Sequence, residues 1–144
     1  LWRAAADRLF SRLGGSLKSG LEQLKDESPQ ARIRSAIRAY AHWIAGNPEF
    51  FRFMVDEGNL SNSRTRWLVD THLKPRFKLI REAGLAHALA IDEDAIPHAF
   101  FALSGAAGLI FAVSANSRRL TGLNPKKSET IEAHANFVAK LFVP

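Results

Sequence analysis

The chain has 144 residues and a formal charge of +6, from 20 Lys and Arg against 14 Asp and Glu, enough length for one hydrophobic core and too little for two. Apolar residues at 47% and charged residues at 24% match a globular chain and exclude disorder. There is no cysteine, which excludes disulfides, thiol catalysis and cysteine-bound metal, and leads us to expect a reducing, cytoplasmic setting.

Ala and Leu together number 39, against 17 for Val, Ile and Thr. That balance predicts helix, because Ala and Leu lose little on entering one while β-branched side chains lose rotamer freedom. The chain opens on Leu1-Trp2-Arg3-Ala4, inside a helical pattern and without a cationic start or cleavage site, so no signal peptide is expected; without an initiator Met it reads as part of a longer protein. Leu9, Leu13, Leu17, Leu21 and Leu24 recur every three or four residues and mark one face of a first helix. Gly14-Gly15 predicts a bend in it. Asp26-Glu27-Ser28-Pro29 closes this helix and opens the next, with Ser28 as cap and Pro29 at the first helical position.

The second helix carries Ile33, Ile37, Tyr40 and Ile44 and ends at Gly46. Asn47-Pro48-Glu49 repeats the start signal, and an aromatic helix through Phe50, Phe51, Phe53 and Met54 runs to Gly58. A longer helix is expected from Ser61 to Ser63 onward, with a bend near Thr71 to Lys74 because Pro75 removes a backbone donor. Ile91-Asp92-Glu93-Asp94 reads as the acidic start of a helix whose run from Ala99 to Ala115 is nearly free of charge. Residues from Asn116 to Pro125 read as a loop, and Lys126 to Phe142 as a last amphipathic helix. The expected architecture is therefore an all-α bundle of six helices forming a single domain over 1-144.

The Ala99–Ala115 run falls short of the roughly 20 apolar residues a bilayer span needs. A helix buried on all sides is the expectation, with no membrane partner. Within it, Ser104-Gly105-Ala106-Ala107-Gly108 is a patch of small side chains that would let another helix approach closely. Two readings compete for that patch: tight packing within the chain, and a subunit interface. The preferred one is a homodimer through Gly105, Gly108, Ala112, Phe137, Val138 and Leu141, in which the last two helices of each chain make a four-helix bundle.

Trp43, Phe50, Phe53, Met54, Trp67, Phe77 and Phe101 are distributed over several helices, and apolar pockets with a few polar groups are built from such sets. Together with His98 and Ser104 they form the candidate ligand site; the competing reading is that they simply fill the core. The basic residues are scattered (Arg32, Arg34, Arg38, Arg64, Arg118), and only Lys74 to Lys78 is dense. This pattern predicts a solvated surface rather than a nucleic-acid stripe, and a small apolar or anionic ligand rather than a cation. Asp94 and His98 stand four apart, but two groups do not make a metal site. No nucleophile elbow, phosphate loop or Glu-x-x-His pair occurs, so no enzyme activity, metal or cofactor is expected.

The order of these features resembles the C-terminal domain of TetR-family transcriptional regulators over essentially the whole chain. Leu1-Trp2-Arg3-Ala4-Ala5 resembles the start of the connecting helix of that family, which would cover 1-26. Asn47-Pro48-Glu49-Phe50-Phe51-Arg52 resembles the segment after the second helix of the sensor domain, and Leu73-Lys74-Pro75 the proline-bent helix beside the pocket. The stretch from Phe101 to Phe111 resembles the first of two dimerisation helices, within 92-144, and Thr121-Gly122-Leu123-Asn124-Pro125 the loop to the second. The resemblance implies effector binding and dimerisation, with DNA bound only through an N-terminal helix-turn-helix domain that these residues do not contain. The alternative is a helical hydrophobic-ligand or lipid-binding module unrelated to transcription.

Overall fold

A computed structural model describes all residues from Leu1 to Pro144 and is helical throughout, with no strand. The elements are α1 (Trp2–Gln23), α2 (Pro29–Gly46), α3 (Pro48–Gly58), α4 (Ser63–Leu68), α5 (Lys74–Glu82), α6 (Leu85–Leu89), α7 (Ile96–Ala112), α8 (Ser114–Thr121) and α9 (Ser128–Phe142). A π-helical turn, Val69–Leu73, joins α4 to α5, and a 3₁₀ turn, Glu93–Ala95, leads into α7. Helix α2 is central and packs against α1, α3, α6, α7 and α9.

Local signals set most boundaries. Ser28 caps α2 by accepting from the Ala31 N–H at 3.2 Å, with Pro29 in the first turn. Asn62, between the two serines expected to start the next helix, caps α4 by accepting from Arg64 at 2.9 Å and Thr65 at 3.1 Å. Asn47 departs from expectation. Its side-chain amide donates to the Trp43 carbonyl at 2.9 Å, closing α2, and makes no capping bond to α3.

The bend before Pro75 takes a specific form. The Lys74 N–H donates to the Val69 carbonyl, a bond of i to i+5 span. Widening the turn relieves the clash between the proline ring and the carbonyl four residues earlier, and α5 then runs on from Lys74. Gly14-Gly15 does not interrupt the first helix: α1 runs continuously from Trp2 to Gln23.

Six helices were expected, and the chain forms more. Helix α8 occupies most of the expected Asn116–Pro125 loop; it buries no residue, so periodicity had no apolar face to register. Gly122, at φ 77°, ends it. Helix α6 is five residues set between Gly84 (φ 98°) and Ala90 (φ 54°), too short to carry a periodic signal.

The core runs through Phe10, Ile33, Ile44, Leu68, Leu85, Ile96 and Val138, each no more than 1% exposed. Helix α9 is held to α2 by a polar clasp as well as by packing. Glu132 accepts from Arg38, from His42 at 2.7 Å and from Asn136 at 3.1 Å.

Candidate functional site

A cavity of about 680 Å³ lies among α1, α2, α3, α5 and α7, within the size range of small-molecule pockets. Twenty of its 26 lining residues are hydrophobic, so an apolar ligand body would be accepted without leaving polar groups unpaired. The α1 leucine face supplies Leu13 and Leu17, α2 supplies Ile33, Ile37 and Tyr40, and α7 supplies Leu103, Ser104 and Ala107. Solvent-facing Val55, Gly58, Lys74 and Phe101 stand at its edge.

Five residues of the candidate ligand site line this space: Phe50, Met54, Phe77, Phe101 and Ser104. Phe50 is 4% exposed and meets Phe10 edge-on at 5.1 Å; Phe77 meets Phe100 edge-on at 5.2 Å. Phe101 is 74% exposed and belongs to the rim. Four candidates stand elsewhere. Trp43 lies behind Phe50, ring edge to ring at 4.8 Å. Phe53 and Trp67 both pack on Trp2, at 5.9 and 5.7 Å, in a separate aromatic cluster near the start of α1 that Arg3 and Arg64 flank. His98 is exposed on the outside of α7.

Apart from Asn59 and Lys74, which are exposed and bonded to the Val55 carbonyl and to Asp70, the polar groups of the cavity fall into two sets. Burial pushes the Tyr40 phenol up to about 12, partly offset by its hydrogen bond with the Ser104 side chain. The Ser104 hydroxyl donates to the Phe100 carbonyl at 2.7 Å. Across the cavity, Arg76 donates to the His72 carbonyl at 2.7 Å and to the Phe10 carbonyl, with its guanidinium 4.9 Å from the Phe10 ring centre. Burial lowers its pKa. Sequence reasoning missed Arg76, since it sits in a basic run that reads as solvated surface.

Gly14 shows why a glycine occurs inside α1. A Cβ there would stand 2.7 Å from the Arg76 guanidinium, so the missing side chain admits the arginine to the helix backbone. Nearby, His72 is 7% exposed, stacks on Phe10 at 4.6 Å and pairs with Asp7 of α1 at 2.8 Å. The π turn and α5, which wall the cavity, are thus bonded to α1 twice.

The candidate dimer residues divide as well. Gly108 is buried beneath Phe51, whose ring a Cβ would overlap, and Val138 is 1% exposed. Both lie inside the subunit, and at Gly108 the small side chain serves packing within the chain. Phe137 and Leu141 are 63% and 60% exposed, and Gly105 faces open space. Ala112 is half-buried.

Helix α7 is not buried on all sides. In the stretch Glu93–Ala112, long and apolar enough by itself to cross a membrane, only 22% of the most apolar window is buried. Leu109 is 54% exposed, and a broad shallow groove beside it runs between α7 and α8 past Gly105, Val113 and Leu120. No group of three or more His, Asp or Glu side chains comes within metal-ligating reach. In comparisons with known proteins, no family model matches the chain, and neither a curated protein nor a solved structure does.

Proposed function

We propose that this chain is the effector-binding and self-associating domain of a TetR-type transcriptional regulator, acting in the cytoplasm. A small molecule in the cavity would control a DNA-reading helix-turn-helix segment joined to α1. The observation that carries this reading is the apolar cavity of about 680 Å³ between α1, α2, α3, α5 and α7.

Two further observations support it. Cavity wall and α1 are linked by the Asp7–His72 pair and by the Arg76 bond to the Phe10 carbonyl. Ligand contact on one side of the π turn would therefore bias the position of α1, a population shift between two arrangements of one helix. The exposed Phe101, Leu109, Leu120, Phe137 and Leu141 give α7, α8 and α9 an apolar outer surface that a second copy of the chain would cover.

Binding of the neutral fluorophore N-phenyl-1-naphthylamine tests the cavity. Saturable binding is expected in the wild-type chain, and Ala36→Phe, which pushes a ring into the space from α2, should abolish it while the far-ultraviolet circular dichroism is kept. Binding that survives this change at full strength places the ligand elsewhere and defeats the reading. A chain that binds but stays monomeric at micromolar concentration would instead be a helical carrier of hydrophobic molecules.

A further inference from the structure

We infer that the ligand of this cavity is an amphipathic organic anion, an apolar body carrying one carboxylate-like group that Arg76 neutralises. The inference rests on the cavity being a binding site, as proposed above, and adds the chemistry of what enters it.

No Asp or Glu is among the lining residues, whereas Lys74 and Arg76 both are. A cationic ligand would find no counter-charge there and would face two like charges. The two cations are not equivalent. Lys74 is 70% exposed and already paired with Asp70 at 2.6 Å, four residues before it on the same helical run. Its charge is satisfied at the surface, where such a pair contributes little.

Arg76 differs on each count. It forms none of the ion pairs of the chain. Its partners are two neutral carbonyls, of His72 and Phe10, and its Nε is buried and donates to nothing. A guanidinium has five N–H donors in a planar fork and matches a carboxylate through two parallel bonds. Here donors are left over, the charge is half-buried, and no anion of the protein answers it. Even a half-buried cation without a counter-ion is disfavoured, and an anion supplied by a ligand lowers that penalty.

The rest of the wall fixes the remainder of the molecule. Elsewhere the lining includes Leu13, Leu17, Ile33, Ile37 and Phe77, all apolar. A second charge would be stranded there, so the anion carries its charge at one end. Tyr40 and Ser104, on the α2 and α7 side, are a neutral hydroxyl pair and suit a neutral polar substituent of the body.

Competition against N-phenyl-1-naphthylamine bound to the whole chain tests this, with decanoate and 1-decanol as probes matched in chain length. Decanoate should bind about tenfold or more tightly than decanol at neutral pH, the size of one charge-assisted contact. Arg76→Gln should abolish that preference, decanoate losing at least about tenfold more affinity than decanol, which a purely structural arginine would not do. Lys74→Gln should keep the preference. Because Arg76 also holds α1, Arg76→Gln could unfold; the wild-type ratio decides the matter without it. Decanol binding as tightly as decanoate to the wild type overturns the anion while leaving the cavity reading intact. If neither probe displaces the fluorophore, the anion is overturned as well; the cavity reading fails separately, where fluorophore binding survives Ala36→Phe at full strength.

Discussion

At the residue scale, a few side chains do two jobs, and substitutions separate them. Phe10 is fully buried, stacks on His72, meets Phe50 edge-on and lies under Arg76. It is at once core and cavity wall. Gly108 is covered by Phe51, so Gly108→Leu should destabilise the folded chain by about 1–3 kcal/mol through overpacking, read as a lower urea midpoint. An unchanged midpoint would show that α7 can move away from α3 freely. Tyr40 is the sole tyrosine, so its ionisation can be followed alone by ultraviolet absorbance. Burial holds it neutral up to about 12 in the folded chain, whereas an unfolded tyrosine ionises near 10. The unfolded state therefore loses its proton first as pH rises. The contribution of Tyr40 is full below about pH 10 and is lost toward pH 12. Titration of the native chain should centre near 12, fall back toward 10 in denaturant, and the alkaline loss of stability should shrink in Tyr40→Phe.

At the scale of elements, α7 and the α4–α5 run carry the two departures that shape the cavity wall and the outer apolar surface. The proline bend is a π turn, and that geometry sets Val69 and Leu73 on the cavity wall while His72 reaches Asp7 of α1. A regular helix through this stretch would shift those side chains to other faces. Helix α7 contributes Leu103 and Ala107 inward and leaves Phe101 and Leu109 outward. With Phe137 and Leu141 of α9 it presents a surface unlike the polar face of an ordinary outer helix. The proposed self-association predicts a dimer for the wild type in sedimentation equilibrium, and Leu109→Glu and Phe137→Glu together should give a folded monomer. These positions have little to lose within one subunit and much to lose against another. A monomeric wild type would defeat the self-association.

At the scale of the whole molecule, the bundle is organised around α2, which touches the cavity on one side and α9 on the other. The α2–α9 contact is partly electrostatic. The hydrogen bond from His42, more than the Arg38 charge and the Asn136 amide, holds the Glu132 carboxyl below its ordinary value against the opposing effect of desolvation. A carboxyl lowered by folding stabilises the fold above its unfolded pKa, and that stability drains away as pH falls through the lowered folded value. The clasp is at the surface, so the effect is modest and sensitive to salt. Wild-type stability should fall more on acidification through the carboxylate range than that of Glu132→Gln, measured by thermal unfolding. Parallel curves would show that the clasp contributes nothing.

Much of this architecture is written locally. The helical class, the α2 start at Ser28-Pro29 and the disturbance before Pro75 follow from propensity, capping and the missing proline N–H, all of which act within a few residues. So does the direction of the Leu13 and Leu17 face, because period alone sets it. What the tertiary structure decided is which residues share a space. Phe53 and Trp67 carry the same aromatic signal as Phe50 and Phe77, yet they pack on Trp2 away from the cavity. Gly105 and Gly108 are three apart in one small-residue patch, but one is open and the other lies under Phe51. Arg76 has no local mark separating it from Lys74, and its role arises only because Gly14, 62 positions earlier, leaves room for it on α1. Contacts of that kind depend on which helices meet and at what angle, which no single stretch of sequence contains.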